Sequence, residues 1–386
     1  MARRGGRAAL AQALRASRAD TLATFAAYER ALPGLRVPQR EELNPPLWEL
    51  GHIGWFQAWW LQRNPERARG IAADPDVPRE PAVPANAEAL YHSSRVAHDS
   101  RWGLPLPDAR TTRAHLEAQL DATLRLLADA PETDEALYFF RLALLHEDMH
   151  HEAALYMAQA LGIPIDDARW QAPRLPEPPA ALALAAGAWR LGSAAGDGFA
   201  FDNELGAHEV EVAAYEIDAQ VLRWAEYLPF VEASGAAPPR YLRRDGRHWQ
   251  QWRHGRWVRL DLAEPACHLT QHEALGWCRW AGRRLPTEAE WERAALAEPE
   301  RFRWGDVWEW TASPFAPYPG FVAHPYRDYS LPWFDGRPVL RGASFMTQPR
   351  MRHARYRNYF TPGRSDIPAG FRSCAVTKPA SAANGR

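Results

Sequence analysis

The run Leu145-His146-Glu147-Asp148-Met149-His150-His151-Glu152 decides how the first half of this chain is read. Its spacing His146-x-x-x-His150 places two imidazoles one turn apart on the same face of a helix. A third histidine, His52, stands far upstream in Trp48-Glu49-Leu50-Gly51-His52-Ile53-Gly54-Trp55. Three imidazoles from two helices make a facial metal site with coordination positions left over. Open positions serve chemistry rather than structural support, because a closed site cannot bind substrate. The His-x-x-x-His pair alone is a weak signal; its weight comes from His52 and from the second half of the chain.

Outward from this run, apolar residues recur at three-to-four spacing over Thr133–Leu161. Thr133 with Asp134 and Glu135 can open that helix, and Gly162 followed by Pro164 stops it. Ala8–Leu32, Pro46–Gln62 and Arg113–Leu127 show the same period, with Asp108 and Thr111 as caps for the last. Helices of this length with a long connection between the second and third predict an antiparallel four-helix bundle over residues 1–162. Residues 163–180 are proline-rich and read as a stiff extended linker. From 181 to 380 the grain changes to short segments broken by glycine, asparagine and aspartate. Helical periodicity returns there only in Leu222–Glu232 and Thr270–Ala281, which predicts an α+β domain with many loops. The expected fold class is thus an all-α bundle followed by an α+β domain, which suits a chain of 386 residues.

Composition narrows the function. The formal net charge is −1 and no basic run of five or more occurs, so nucleic-acid binding is not expected. No apolar run is long enough to span a membrane. The basic start Met1–Arg7 lacks the apolar centre of a secretion signal. Three scattered cysteines, Cys267, Cys278 and Cys374, form neither a disulfide framework nor a C-x-x-C pair. They predict a reduced, cytoplasmic protein with buried free thiols.

Four motifs mark the second half: Gly282-Arg283-Arg284-Leu285-Pro286-Thr287-Glu288-Ala289-Glu290-Trp291-Glu292, Val307-Trp308-Glu309-Trp310-Thr311, Leu340-Arg341-Gly342-Ala343-Ser344 and Ala369-Gly370-Phe371-Arg372. They resemble the formylglycine-generating-enzyme type of C-type-lectin-like domain (the sulfatase-modifying-factor fold). The first half resembles the DinB-type metal-binding four-helix bundle. Joined in this order, the two halves resemble the iron-dependent sulfoxide synthases of ergothioneine biosynthesis and the related selenoneine synthase. The resemblance implies Fe(II) on His52, His146 and His150, with dioxygen as co-substrate. It implies that Glu152 orients a ligand imidazole. In Tyr326-Arg327-Asp328-Tyr329-Ser330 it makes Tyr326 the proton donor, with Tyr329 as its companion. It assigns Arg357-Asn358-Tyr359 to the betaine of hercynine, with Tyr359 and Phe360 as aromatic faces for a quaternary ammonium. The implied reaction joins sulfur or selenium to C2 of the hercynine imidazole. A structural calcium ion in the lectin-like domain is left open.

The sequence departs from that pattern at informative places. The ergothioneine branch commonly grips γ-glutamylcysteine with two arginines just before Leu-Pro-Leu. Here Arg101 remains, but His98 stands at the earlier position, ahead of Leu104-Pro105-Leu106. Phe360 stands where an acidic residue is common, and Met149 where glutamine is. Loss of charge partners at both ends of a zwitterionic donor costs a few kcal/mol. A neutral polar donor such as a selenosugar is therefore expected, and with it selenoneine synthase activity. The alternatives are a hercynylcysteine sulfoxide synthase using γ-glutamylcysteine or cysteine, and a DinB-type thiol S-transferase with another divalent metal. A formylglycine-generating role would need a reactive cysteine pair, and Cys374 stands alone. Because residues of both halves must meet, the active site is expected in the cleft between them. Trp291, Trp308 and Trp310 read as core, Asp148 and His151 as solvated or supporting groups, and the arginines of 350–372 as structural.

Overall fold

Thr133 accepts the amide of Ala136 at 3.2 Å and starts the longest helix, and Gly162 ends it in the left-handed conformation at φ 73°. In this computed structural model, residues 2–376 are described; the tail of the expected second domain, 377–380, lies outside them. The helices of the first half are α1 (Arg7–Ala31), α2 (Pro46–Gln57), the short α3 (Ala87–Tyr91), α4 (Ala109–Asp129) and α5 (Asp134–Leu161). Asp108 caps α4 by accepting the Thr111 amide at 2.7 Å. Pro46 opens α2, where a missing N–H costs nothing. The helix then widens into a single π-turn, Ala58–Gln62, a device frequent at functional sites. α1, α2, α4 and α5 pack together, and a 3-10 turn from the α2–α4 connection, Arg67–Ala72, packs onto α5.

The proline-rich stretch is extended but is not a free spacer. Ile163, Trp170 and Leu175 are buried, and the Leu175 amide donates to the Ala263 carbonyl at 2.8 Å. Beyond it stand α6 (Trp224–Ser234), α7 (Gln271–Ala281) and α8 (Glu288–Ala297). The expectation of only two helices here is corrected by α8. Its sequence signal is a capping box: Thr287 accepts the Glu290 amide while the Glu290 carboxylate accepts the Thr287 amide. Its apolar face is small, Trp291 with Ala294 and Ala295, and a short helix rich in glutamate hides its period. One sheet orders Leu182–Leu184, Tyr215–Ile217, Cys374–Ala375 and Arg283–Arg284. A second four-stranded sheet orders Asn358–Tyr359, Pro338–Gly342, Trp308–Pro314 and Ala369–Gly370, the last pairing parallel to its neighbour; Gly187–Leu191 with His208–Val212, and Leu242–Asp245 with His248–Arg253 and Arg256–Arg259, form two smaller antiparallel sheets.

The two halves share one core. Trp48, Phe56, Phe139 and Leu144 of the bundle cluster with Trp224, Trp308, Trp310 and Phe371. Arg3 ties the chain start to the second half, forming a buried ion pair with Glu204 at 2.5 Å. Five of the six arginines of the 350–372 stretch pair with carboxylates, Arg350 with Asp148, Arg355 with Glu292, Arg357 with Glu288, Arg364 with Asp366 and Arg372 with Glu309, while Arg352 donates to the Ser344 carbonyl. No helix among the described residues is long and apolar enough to cross a membrane.

Candidate active site

His52 on α2 and His146 and His150 on α5 converge. Each offers a ligand atom, and these atoms all lie within 4.8 Å of one another. Their ring centroids are 4.5 to 5.1 Å apart. Nδ1 of His52 meets the carbonyl of Tyr91 at 2.8 Å, and Nδ1 of His150 meets the Glu49 carboxylate at 2.6 Å. Both imidazoles are thereby held with Nε2 as the free nitrogen. His146 makes no side-chain hydrogen bond among the described residues; Phe56 stacks on it instead, centroids 3.5 Å apart and planes within 2°. Burial, reinforced by the neighbouring His150, drives the His52 pKa down to about 3 and that of His146 well below its ordinary value. These are neutral imidazoles, the state that binds a metal. No other group of three such side chains converges among the described residues.

The second half delivers a phenol to this triad. Tyr326 lies 6.2 Å from His146, ring to ring, with Phe56 and Trp60 beside it. Its burial raises the phenol pKa, so it keeps its proton. The loop carrying it is tied to the bundle by Arg327–Asp76 at 3.0 Å and by Ser94 donating to Asp328. A cleft of about 360 Å³ opens there, walled by Trp55, Trp59, Trp60, His92, Ser94 and Tyr326.

Several expected site residues lie elsewhere or do other things. Glu152 does not touch a ligand imidazole. Its carboxylate accepts Trp308 Nε1 at 2.8 Å, Ser344 at 2.6 Å and Thr347 at 2.8 Å, because α5 turns it toward the second half. The carboxylate that does touch an imidazole of the triad is Glu49. It stands three residues before His52, a helical spacing that could have revealed it. His98 gives Nε2 to the Leu43 carbonyl at 2.8 Å. Arg101 bonds Asn44 and lies over Trp48. Each is thus held by a partner from the segment before α2. Phe360 carries the Arg364 guanidinium 5.0 Å above its ring, so that face already holds a cation. Tyr359 stacks on Phe315 at 4.0 Å and donates to the Tyr329 carbonyl. Asn358 turns its oxygen onto the Tyr359 amide at 2.9 Å. Tyr329 bonds hydroxyl to hydroxyl with Tyr356 at 2.9 Å, and Tyr356 reaches the Met149 sulfur at 3.4 Å. Asp148 and His151 are buried rather than solvated. Asp148 pairs with Arg350 and Ser17, and His151 meets Thr24 at 3.0 Å.

Comparison with known proteins places this geometry. Residues 169–306 and 302–377 match the Sulfatase-modifying factor enzyme 1-like domain. The hercynine oxygenase of Mycobacterium tuberculosis is 31% identical over 86% of this chain and 90% of its own length. That of Mycolicibacterium smegmatis is 30% identical over the same shares. The formylglycine-generating enzyme of Streptomyces coelicolor is 31% identical over 32% of this chain and 49% of its own. Among solved structures, PvdO from Pseudomonas aeruginosa covers 50% of this chain and 93% of its own, at 17% identity and a TM-score of 0.38.

Proposed function

This chain belongs to the hercynine oxygenase family, its second half to the sulfatase-modifying factor type, and from that premise we propose that it joins a chalcogen to C2 of the hercynine imidazole. The reaction is oxidative and uses iron(II) and dioxygen, and the most suitable donor is a selenosugar, which would make the chain a selenoneine synthase. The observation that carries the reading is the meeting of His52, His146 and His150 with Tyr326, a phenol from the other half of the chain. The donor set fits iron: three imidazoles, two of them hydrogen-bonded through Nδ1, suit a ferrous ion. When bound, iron supplies the redox chemistry that side chains lack. The protein's part is to hold and orient. α2 and α5 fix the imidazoles, aromatic rings wall the cleft beside them, and Tyr326 keeps a proton to give. In the thiol S-transferase alternative, that phenol would have no task.

The donor preference rests on His98, Arg101 and Phe360. The first is bound to a backbone carbonyl, the second is stacked on Trp48, and the third lies under Arg364. At these places a zwitterionic peptide thiol meets only Arg101, whose guanidinium already bonds Asn44 and lies on Trp48, whereas a neutral polyol needs no charge partner. A sulfoxide synthase working on γ-glutamylcysteine or cysteine is the alternative within the same family. The buried free thiols of Cys267, Cys278 and Cys374 suit a reducing cytoplasm.

The test is a competition. Anaerobically iron-loaded protein receives hercynine with equal amounts of 1-seleno-glucose and γ-glutamylcysteine, oxygen is admitted, and products are read by mass. Selenoneine as the main product supports the full reading. A γ-glutamylcysteine–hercynine sulfoxide assigns the sulfur reaction and overturns the donor preference. Absence of any hercynine adduct overturns the family chemistry for this chain.

A further inference from the structure

Arg101 sits at the end of a stack that leads to the triad. Its guanidinium carbon lies 3.8 Å from the centroid of the Trp48 ring. Trp48 in turn stacks on His52, centroids 4.8 Å apart and planes within 7°. At those separations a flat guanidinium and a flat imidazole cannot share one face of the indole. Arg101, Trp48 and His52 therefore form one pile. The indole cannot turn, because its Nε1 donates to the Leu90 carbonyl at 2.8 Å. The guanidinium is fixed as well: Nη1 donates to Asn44 Oδ1 at 2.8 Å, Nη2 faces the Val96 carbonyl at 3.4 Å, and Nε is buried without a partner. On its other flank His52 meets Trp55, centroids 5.7 Å apart.

We infer that Arg101 is a positioning residue for the metal ligand His52. It presses Trp48 onto the imidazole and so fixes the plane in which His52 Nε2 is presented. This inference rests on the proposed reading that the triad holds a metal. A planar guanidinium stacks on an aromatic face and is weakly hydrated, so it tolerates this half-buried place; an ammonium is a strongly hydrated point charge and does not stack. Partners beyond the ligands commonly set metal affinity by about 10–100-fold, because they decide the angle at which a ligand is offered. A donor-gripping role would require N–H groups turned toward the cleft. Here Nη1 and Nη2 are turned to Asn44 and Val96, and the guanidinium face lies on the indole.

Anaerobic Co(II) titration of the full chain, read by its visible ligand-field absorption, tests this. The variants are Arg101→Met, Arg101→Lys and Asn44→Ala, with His52→Ala as control, and the Michaelis constant for whichever donor the competition assay selects, 1-seleno-glucose or γ-glutamylcysteine, is measured on the iron-loaded forms. Arg101→Met is expected to weaken Co(II) binding about tenfold and to shift the absorption band. Arg101→Lys should recover only part of the loss, and Asn44→Ala should move both readouts less, in the same direction. The Michaelis constant should stay within about twofold of the parent, since the residue does not touch the donor. Unchanged Co(II) affinity and spectrum in Arg101→Met overturn the inference, and a tenfold rise in the Michaelis constant beside them would reassign Arg101 to the donor. Should Arg101→Met fail to fold, Arg101→Lys and Asn44→Ala decide by the same criteria. Equal Co(II) binding by the parent and His52→Ala would instead sink the metal reading itself, and this inference with it.

Discussion

Glu49 and His150 are joined across two helices by a 2.6 Å hydrogen bond between carboxylate and Nδ1. Glu49 lies on α2, one turn before His52, so a single helix supplies one imidazole of the triad and holds a second. Glu49→Ala should therefore weaken metal binding by about 10–100-fold. Glu49→Gln, whose side-chain oxygen can still accept from Nδ1–H, should lose less. Equilibrium dialysis against Fe(II) under argon checks both, and parental affinity in Glu49→Ala would remove the carboxylate from the site's support.

Tyr326→Phe should leave the metal bound, because the phenol is a neighbour of His146 and not one of the converging ligand atoms. What it should change is the outcome. Oxidised donor should rise at the expense of the hercynine adduct, since the positioned proton is gone. Product ratios by mass spectrometry, with iron content measured in parallel, decide the matter. An unchanged rate and product ratio would mean that Tyr326 only packs.

Much of this site is legible in the sequence because helices translate spacing into direction. His146 and His150 one turn apart, and the caps Asp108, Thr133 and Gly162, each act within a few residues of themselves. What does not show is direction across the seam. Glu152 lies two residues beyond His150 and therefore points away from it, to Ser344 and Trp308, more than a hundred and fifty positions on. Glu49 has the right spacing from His52, but no motif marks it. Arg101 and His98 are legible as polar side chains of one short segment, but the groups that bond them, Asn44 and Leu43, come from another. Charge can be read from residue type, whereas availability depends on what folds against it.

Glu152→Ala should act on stability rather than on the metal. It strips the buried indole of Trp308 and the hydroxyls of Ser344 and Thr347 of their common acceptor. Leaving buried donors unpaired costs ~1–3 kcal/mol for each that finds no substitute. A loss of about 3 kcal/mol in urea unfolding is expected on that basis, with Co(II) affinity of the folded protein within about threefold of the parent. A large loss of affinity at unchanged stability would return Glu152 to the expected task of orienting an imidazole of the triad.

His324 predicts a defined acid sensitivity of the seam. Its Nδ1 meets the Tyr138 hydroxyl of α5 at 2.9 Å, and it sits two residues before Tyr326. Burial lowers its pKa to about 4, against about 6.5 in an unfolded chain. Between these values the unfolded chain takes up a proton that the folded protein refuses. Stability is therefore fully present above about pH 6.5 and falls as the pH drops toward about 4, by up to ~1.4 kcal/mol per pH unit for one proton. His324→Gln removes that proton while keeping a group able to meet the Tyr138 hydroxyl. Urea unfolding of both proteins at several pH values between about 7.5 and 4.5 should give the variant a shallower decline. Equal slopes would mean that His324 is protonated in the folded state and that another group carries the acid sensitivity.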